Sequence, residues 1–454
     1  MTRAHEMPPS GRLLGWILRR TNLAAAGRII LCACVLAACG APIAAPTPAA
    51  VTLRFGFRTG IADYVPLAEE FHHVYPNITV KLVELKYGQG LTGAQGLGSG
   101  QSAFEVMNLD AFRDAMPYTP DSKMVTALLP LDDRIDANKS FPRNDIFAGA
   151  LDALKFGGTQ YGLPAGLDPM VAFYDRARFN TKKATPPDPT WTISDFVQAA
   201  VSVNDQSGND SANPNSVYGF CSDPQGTDPI VLTYLFGGQL VDSVTNPTRA
   251  TLDAPANVTA LEWYASLRQK YAVTPDPDDA RQLYHSRGVA EAAALGRCGL
   301  WFGFYADVNV RPPTGMKQVS DPVMLPLPRG QASFNVASLD GYFIMRQSAQ
   351  PGAAWEWISF LMDHESASGR LVPPLQSEVG SSSFARRVGS DALAVAERLP
   401  SDLITLGSGT PQGAASLFSI YAQAVDSVVR GQSEARPALQ AAQVQAQALM
   451  SSGN

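Results

Sequence analysis

A strand, a helix and a second strand follow one another early in the sequence, and this pattern constrains the fold more than any other feature. Val51–Phe57 alternates apolar and polar residues and indicates a strand. Leu67, Phe71 and Tyr75 then recur at helical spacing, and Ile78–Leu82 alternates again. Two strands joined by one helix form a βαβ unit, which requires parallel strands with helices on the sheet faces. The sequence therefore predicts an α/β fold.

Helical signals recur along the rest of the chain. Thr192 and Asp195 have the spacing of a capping box. A helix is predicted after Pro255, an amphipathic helix around Ala354–Leu361, and an Ala- and Gln-rich helix over Ala435–Met450. Alternating strand and helix signals thus continue through the whole sequence.

The first 38 residues have the composition of an export signal. Five Arg residues precede the apolar run Ile29–Leu36, which is too short to span a bilayer. Leu36-Ala37-Ala38-Cys39-Gly40 resembles a bacterial lipobox, in which the Cys is acylated and becomes the mature N-terminus. An ordinary signal peptide that ends in Ala-Cys is the alternative. We expect residues 1–38 to be removed, Cys39 to be lipidated, and the Ala/Pro-rich residues 39–50 to act as a tether.

The length and charge of the remaining chain limit its function. A chain of 416 residues without the signal is too long for one ordinary core and predicts two domains. The signal holds five Arg and one Glu, so its removal changes the formal net charge from −6 to −10. This acidic balance argues against a nucleic-acid partner. Cys221 and Cys298 form either one disulfide or two buried thiols.

Motifs for catalysis, metals and cofactors are absent or incomplete. The sequence has five His, and the adjacent His72 and His73 lie on different sides of a helix, so they do not chelate one ion. Gly88-Gln89-Gly90-Leu91-Thr92-Gly93 fits a dinucleotide motif, but the Gly and Ser residues that follow disfavour the required helix. We expect no cofactor, no metal and no catalysis. A lipid-anchored enzyme that acts on glycosides through two carboxylates stays open as an alternative.

The order of several segments resembles the family 1 bacterial extracellular solute-binding proteins, the maltose-binding-like group of ABC importers. The stretch that resembles the family most is Leu151–Pro164, with the sequence LDALKFGGTQYGLP. Further similar segments follow in family order: Val171–Asp175, Pro186-Pro187, Trp191-Thr192, Gly237-Gly238, Ala260–Trp263, Leu325–Pro328 and Ala353–Ile358.

This resemblance implies a two-lobe, type II periplasmic-binding-protein fold whose lobes are linked by crossing strands. Lobe one would comprise residues 51–164 and 326–378, and lobe two residues 165–325 and 379–454. The expected function is capture of a small solute, a sugar or polyol, between the lobes and its delivery to ABC permease subunits. The protein would be a monomer outside the cytoplasm, at the cell surface or in the periplasm. A sensor of the same fold is a further alternative.

The resemblance also places the ligand-binding residues in five segments. We expect ligand contacts from residues that follow predicted strands or crossings, because sugars need carboxylates, amides and Arg for their hydroxyls and aromatic rings for their apolar faces. The candidates are Arg58 with Thr59; Asn108, Asp110 and Arg113; Asp168; Trp301 and Tyr305; and Asp340 with Tyr342. Each has a structural alternative, such as core packing for Trp301 or helix capping for Asp110.

Overall fold

The computed structural model describes residues 49–57, 62–84, 106–110, 126–205, 216–243, 248–284, 288–309, 317–332, 336–399, 404–405 and 414–452. Its strands are β1 Val51–Phe57, β2 Ile78–Glu84, β3 Val106–Asp110, β4 Lys155–Phe156, β5 Thr159–Gln160, β6 Gly162–Asp175, β7 Tyr218–Cys221, β8 Cys298–Phe304, β9 Pro322–Leu325, β10 Val336–Ile344 and β11 Ile404–Thr405. Cys39, Arg58, Thr59 and Arg113, for which we made predictions, lie outside the described residues.

The α-helices surround these strands. They are α1 Tyr64–Val74, α2 Asp132–Ala137, α3 Ala148–Asp152, α4 Arg176–Lys182, α5 Ile193–Val203, α6 Asp228–Leu235, α7 Pro255–Gln269, α8 Pro277–Tyr284, α9 Val289–Ala294, α10 Pro351–Met362, α11 Gln376–Val379, α12 Ser382–Val388, α13 Ser390–Ala396, α14 Ala414–Val429 and α15 Ala435–Ser452. Within the described ranges, 3₁₀ helices span Tyr305–Asn309 and Glu365–Ser368.

The predicted βαβ unit is confirmed. β1 and β2 pair in parallel from Val51 opposite Ile78 to Phe57 opposite Glu84. α1 connects them, and the Asp63 carboxylate caps it by accepting a hydrogen bond from the Val65 N–H at 3.1 Å. The local pattern of apolar residues was therefore sufficient to define this unit.

The main sheet has the strand order β2-β1-β3-β10-β6-β8-β7, with β11 paired to β10 and β9 to β6. The 14-residue strand β6 is central to this arrangement. Its first part, Gly162–Pro169, pairs antiparallel with β10, and its second part, Met170–Tyr174, pairs antiparallel with β8. One continuous strand thus connects the β1-β2-β3-β10 part of the sheet to the β7-β8 part.

Buried side chains form two hydrophobic clusters. One surrounds β1 and α10 and includes Phe55 and Trp357, and the other surrounds α5 and α7 and includes Phe196. Along the second part of β6, Met170, Ala172 and Tyr174 belong to the second cluster, whereas Val171 and Phe173 belong to the first. This alternation follows from the two-residue period of a strand. The predicted lobe boundaries stay a prediction.

The other predicted helices are present. Thr192 and Asp195 form the capping box of α5. Ala354, Trp357, Ile358 and Leu361 of α10 are all buried, as their spacing predicts. The C-terminal helix α15 packs against α14, and its Gln443 and Gln447 accept hydrogen bonds from the backbone N–H groups of Leu252 and Ala250.

Cys221 and Cys298 form a disulfide, which answers the question that the sequence left open. They lie at the end of β7 and the start of β8, two parallel neighbours, with a Cα–Cα distance of 5.5 Å. Both side chains are fully buried. The bond joins residues 77 positions apart, so it constrains the unfolded chain strongly.

Candidate functional site

Three neighbouring strands bring predicted ligand residues to one region of the sheet. In the antiparallel pairs of β10, Asp340 lies opposite Asp110 of β3 on one side and opposite Gly166 of β6 on the other. In the pairing of β10 with β6, Ser338 lies opposite Asp168. The backbone therefore places Asp110, Asp340 and Asp168 close together, although they are far apart in sequence. Only the backbone of Asn108 and Asp110 is described.

Asp168 connects this region to the end of β8. Its side chain is half-buried on β6. Its Oδ1 accepts a hydrogen bond from the backbone N–H of Ala306 at 2.8 Å. Ala306 belongs to the 3₁₀ helix that begins at Tyr305, directly after β8. The carboxylate of one predicted ligand residue thus fixes the segment that carries another.

Tyr305 lies deeper than the sequence predicted. It is 1% exposed, and its hydroxyl has no hydrogen-bond partner among the residues that the structure describes. Burial raises the pKa of Tyr305 well above its ordinary value, with a smaller opposing effect of the Arg387 charge. The phenol is therefore neutral at physiological pH. A buried hydroxyl without a partner costs free energy, so a ligand oxygen that reached it would gain a hydrogen bond.

Trp301 and Tyr342 make the contacts of core residues. The Trp301 ring stacks on Phe173 with a centroid distance of 5.5 Å and is 6% exposed. Tyr342 is fully buried, and its hydroxyl donates to the Ala367 carbonyl at 3.4 Å. In this conformation neither ring offers a face to a solute, and their roles as ligand contacts stay untested predictions. Asp340, two residues before Tyr342 on β10, is 6% exposed.

A cavity of about 400 Å³ lies between the β7–α6 loop and α14. Its polar lining consists of amides and hydroxyls, with an aromatic ring beside them, from Gln225, Phe418, Ser419, Tyr421 and Gln423. No Asp, Glu, Lys or Arg of the described residues lines it. None of these residues was predicted from the sequence as a ligand contact. The amide side chains of Gln225 and Gln423 could have suggested sugar contacts. However, the two residues come together only through packing between distant segments of the chain.

A buried polar network supports the loop that forms one wall of this cavity. The hydroxyls of Ser222 and Tyr264 are 2.7 Å apart, and the Tyr284 hydroxyl donates to the Ser222 carbonyl at 2.9 Å. Asp228, at the start of α6, is 7% exposed. Burial raises the pKa of Asp228 from 3.8 to about 7, against a hydrogen bond from Ser222 that lowers it. Buried hydrogen bonds thus support the loop, and the carboxyl group that begins α6 changes its charge near neutral pH.

A second, partly buried carboxyl lies in the segment where the predicted lobes meet at residues 378 and 379. Burial raises the pKa of Glu378 from 4.5 to about 8, with further contributions from three neighbouring carboxylates and an opposing effect of Arg387. Arg387 itself pairs with Glu365 and also donates to the Ser368 hydroxyl at 3.2 Å. These contacts join α12 to the 3₁₀ helix Glu365–Ser368.

The described residues contain neither a metal-binding cluster nor a membrane-spanning helix. Among the described residues, no cluster of three or more His, Cys, Asp or Glu side chains has a geometry suitable for holding a metal ion. Within the same ranges, none of the helices combines the length and the apolar character needed to cross a bilayer.

Comparison with known families identifies the chain. Residues 59–368, about two thirds of the sequence, match the family of bacterial extracellular solute-binding proteins. The chain belongs to this family. The resemblance in the segment order is therefore confirmed, and the solute-binding protein family supplies the framework for interpreting the site.

Solved structures with the same fold confirm the predicted type II two-lobe class. The sugar-binding protein MalE from Xanthomonas citri superposes with a TM-score of 0.67 at 18% identity, over 88% of this chain and 98% of that chain. An ABC substrate-binding protein from Listeria monocytogenes in complex with cycloalternan gives 0.66 at 17% identity, over 88% and 99%. A solute-binding protein from Agrobacterium radiobacter K84 in complex with ribitol gives 0.60 at 20% identity, over 88% and 99%.

Proposed function

We propose that this solute-binding protein captures an uncharged carbohydrate or polyol between its two lobes and delivers it to an ABC importer. The observation that supports this most directly is the cavity beside α14, whose polar groups are amides and hydroxyls. Such groups hydrogen-bond to sugar hydroxyls, but they provide no counter-charge for an ionic solute. The solutes named for the related structures, cycloalternan and ribitol, are also uncharged.

The proposed site has two walls. In this proposal Asp168, Tyr305 and Asp340 contribute to the wall near β6 and β10, and contacts from Asp110 and Arg58 stay predictions from the resemblance. Gln225, Phe418 and Gln423 form the wall near α14. Closure of the lobes would bury the solute between them, and permease subunits that recognise the closed form would accept it. A solute shifts that equilibrium only by its differential affinity for the open and closed forms.

We further propose that the protein is held outside the cytoplasm by lipid on Cys39. The lipobox-like sequence that ends at Cys39 and the Ala/Pro tether after it support this anchor. Two or more acyl chains give a stable attachment. The variant Cys39→Ala should move from the membrane fraction to the soluble fraction of cells. Continued membrane association of this variant would contradict the anchor.

A thermal-shift screen tests solute capture. The mature chain would be heated with a panel of neutral sugars and polyols and with matched charged compounds, such as sugar phosphates and polyamines. A ligand present at 100 times its Kd adds about 2.7 kcal/mol to the free energy of unfolding. We expect stabilisation by members of the neutral set alone. Stabilisation by charged compounds alone would contradict the proposed solute class.

A further inference from the structure

A second cavity, of about 540 Å³, lies on a different part of the molecule. Val74 and Tyr75, at the end of α1, form part of its wall, and α2 and α10 form the rest. The Asn77 carbonyl accepts a hydrogen bond from the Val51 N–H at 2.8 Å, so this wall lies at the beginning of β1. The residues that line this cavity and those that line the cavity beside α14 have no member in common. The two cavities are therefore separate.

Several polar groups in this cavity have unused hydrogen-bonding capacity. The Arg134 guanidinium is half-buried and makes no ion pair or hydrogen bond with the described residues. The Ser359 hydroxyl oxygen is buried and has no partner among the same residues. Glu356 accepts from the Tyr75 hydroxyl at 2.9 Å through one carboxylate oxygen, so the other oxygen remains available. Desolvated groups of this kind gain free energy when a ligand pairs with them.

Donors and acceptors are both present around the cavity. Arg134 and the Asn138 amide donate, Glu356 and Asp363 accept, and Ser359 does both. Burial raises the pKa of Asp363 above its ordinary value. This mixture suits hydroxyl groups, because each hydroxyl both donates and accepts.

Apolar surface completes the lining. Tyr75 is partly exposed, Val74 is 60% exposed, and the largely buried Trp355 and Phe360 also line the cavity. A sugar ring presents apolar C–H groups on its faces and hydroxyls around its edge. Aromatic and aliphatic surface beside a balanced set of polar groups is complementary to such a ring.

We propose that this cavity is a second saccharide-binding site, which holds one or two uncharged sugar units independently of the site between the lobes. Occupation of this site would keep the protein near glycan while the first site exchanges solute.

The indole N–H of Trp355 provides a direct probe of this cavity. The mature chain with Cys39→Ala would be labelled with ¹⁵N at its indole groups, and the Trp355 signal would be assigned with Trp355→Phe. Maltose, mannobiose, tagatose and ribitol would be titrated in turn, and the Trp301 signal would report on the first site. We expect a saturable shift of the Trp355 signal with at least one of these compounds, unchanged in Asp168→Ala.

Two variants and one control make the test specific. Glu356→Ala and Ser359→Ala should each raise the concentration needed for half-saturation of the Trp355 shift by at least about tenfold. Glu262→Ala, which removes an exposed Glu from α7, should leave it unchanged. A Trp355 signal that none of the four compounds moves would overturn the proposal. The proposal would also be overturned if Glu356→Ala and Ser359→Ala both kept the half-saturation concentration of the parent protein. A Trp355 shift caused by glycine or glutamate instead of the sugars would overturn it as well.

Discussion

The carboxylate of Asp168 and the backbone N–H of Ala306 form a hydrogen bond of 2.8 Å that joins β6 to the 3₁₀ helix carrying Tyr305. In addition to the direct pairing of β6 with β8, this contact connects the strand shared by both hydrophobic clusters to the segment after β8. It also means that Asp168 has a structural role in addition to its proposed role in binding. Substitutions at these two residues therefore need to separate stability from affinity.

Asp168→Ala should weaken solute binding by about 1–3 kcal/mol, because it removes a polar partner of the solute and releases the Tyr305 segment. Asp168→Asn keeps an oxygen that can accept the hydrogen bond from the Ala306 N–H, so this variant should lose less solute affinity. Isothermal titration calorimetry with a solute found in the screen measures both. Equal affinity of Asp168→Ala and the parent protein would remove Asp168 from the site.

Tyr305→Phe should separate binding from stability. The variant deletes a buried hydroxyl that has no partner among the described residues, so the solute-free protein should be as stable as the parent or more stable, by up to about 1 kcal/mol. Solute affinity should fall, since the proposed hydrogen bond is lost. Urea denaturation and calorimetry on the same samples test the two effects. A loss of stability with unchanged affinity would indicate a purely structural role.

The disulfide between Cys221 and Cys298 should contribute about 2–5 kcal/mol to the free energy of unfolding, because it closes a long loop in the unfolded chain. The double variant Cys221→Ser with Cys298→Ser should lose this amount in denaturant titrations. Reduction of the parent protein under denaturing conditions, followed by refolding with the thiols blocked, provides the control. An unchanged denaturation midpoint in the double variant would show that the bond contributes little.

Asp228 should make stability depend on pH. In the folded protein it holds its proton up to about pH 7, whereas in the unfolded chain its pKa is near 3.8. Between these values the folded state binds more protons, so the contribution of Asp228 to stability falls as the pH rises through this window. Over the full window the fall should be about 2–4 kcal/mol.

The variant Asp228→Asn isolates this contribution, because it cannot ionise. Relative to the parent, it should gain stability between pH 5 and pH 8, measured by urea denaturation at both values. Glu378→Gln should behave in the same direction over a window that extends to about pH 8, with a smaller change because Glu378 is only partly buried. The raised pKa of Asp228 would be contradicted if the stability difference between Asp228→Asn and the parent did not change with pH.

Features set by local sequence were predictable, and features set by distant pairing were not. The capping box of Thr192 and Asp195 and the buried stripe of α10 depend on residues within a few positions of one another. The disulfide depends on parallel pairing of β7 and β8 across 77 positions, which no local pattern records.

The same distinction explains the outcome at the site. The resemblance to the solute-binding family implied ligand roles for Asp168 and Tyr305, and Asp168 accepts a hydrogen bond from Ala306, the residue after Tyr305. The burial of Tyr342 could not be predicted, because it follows from the pairing of β10 with both β3 and β6. The contribution of Gln225 and Gln423 was missed for a similar reason, since α14 packs beside a loop almost 200 residues earlier in the chain.

The central claim is that this protein binds an uncharged solute reversibly and leaves it chemically unchanged. Calorimetric titration of the mature chain with the best neutral sugar or polyol, followed by NMR of the recovered solute, tests this most directly. We predict one strong binding event that Asp168→Ala weakens, and full recovery of the intact compound after hours of incubation. Cleavage of the compound, or failure of every neutral sugar and polyol to bind, would contradict the account.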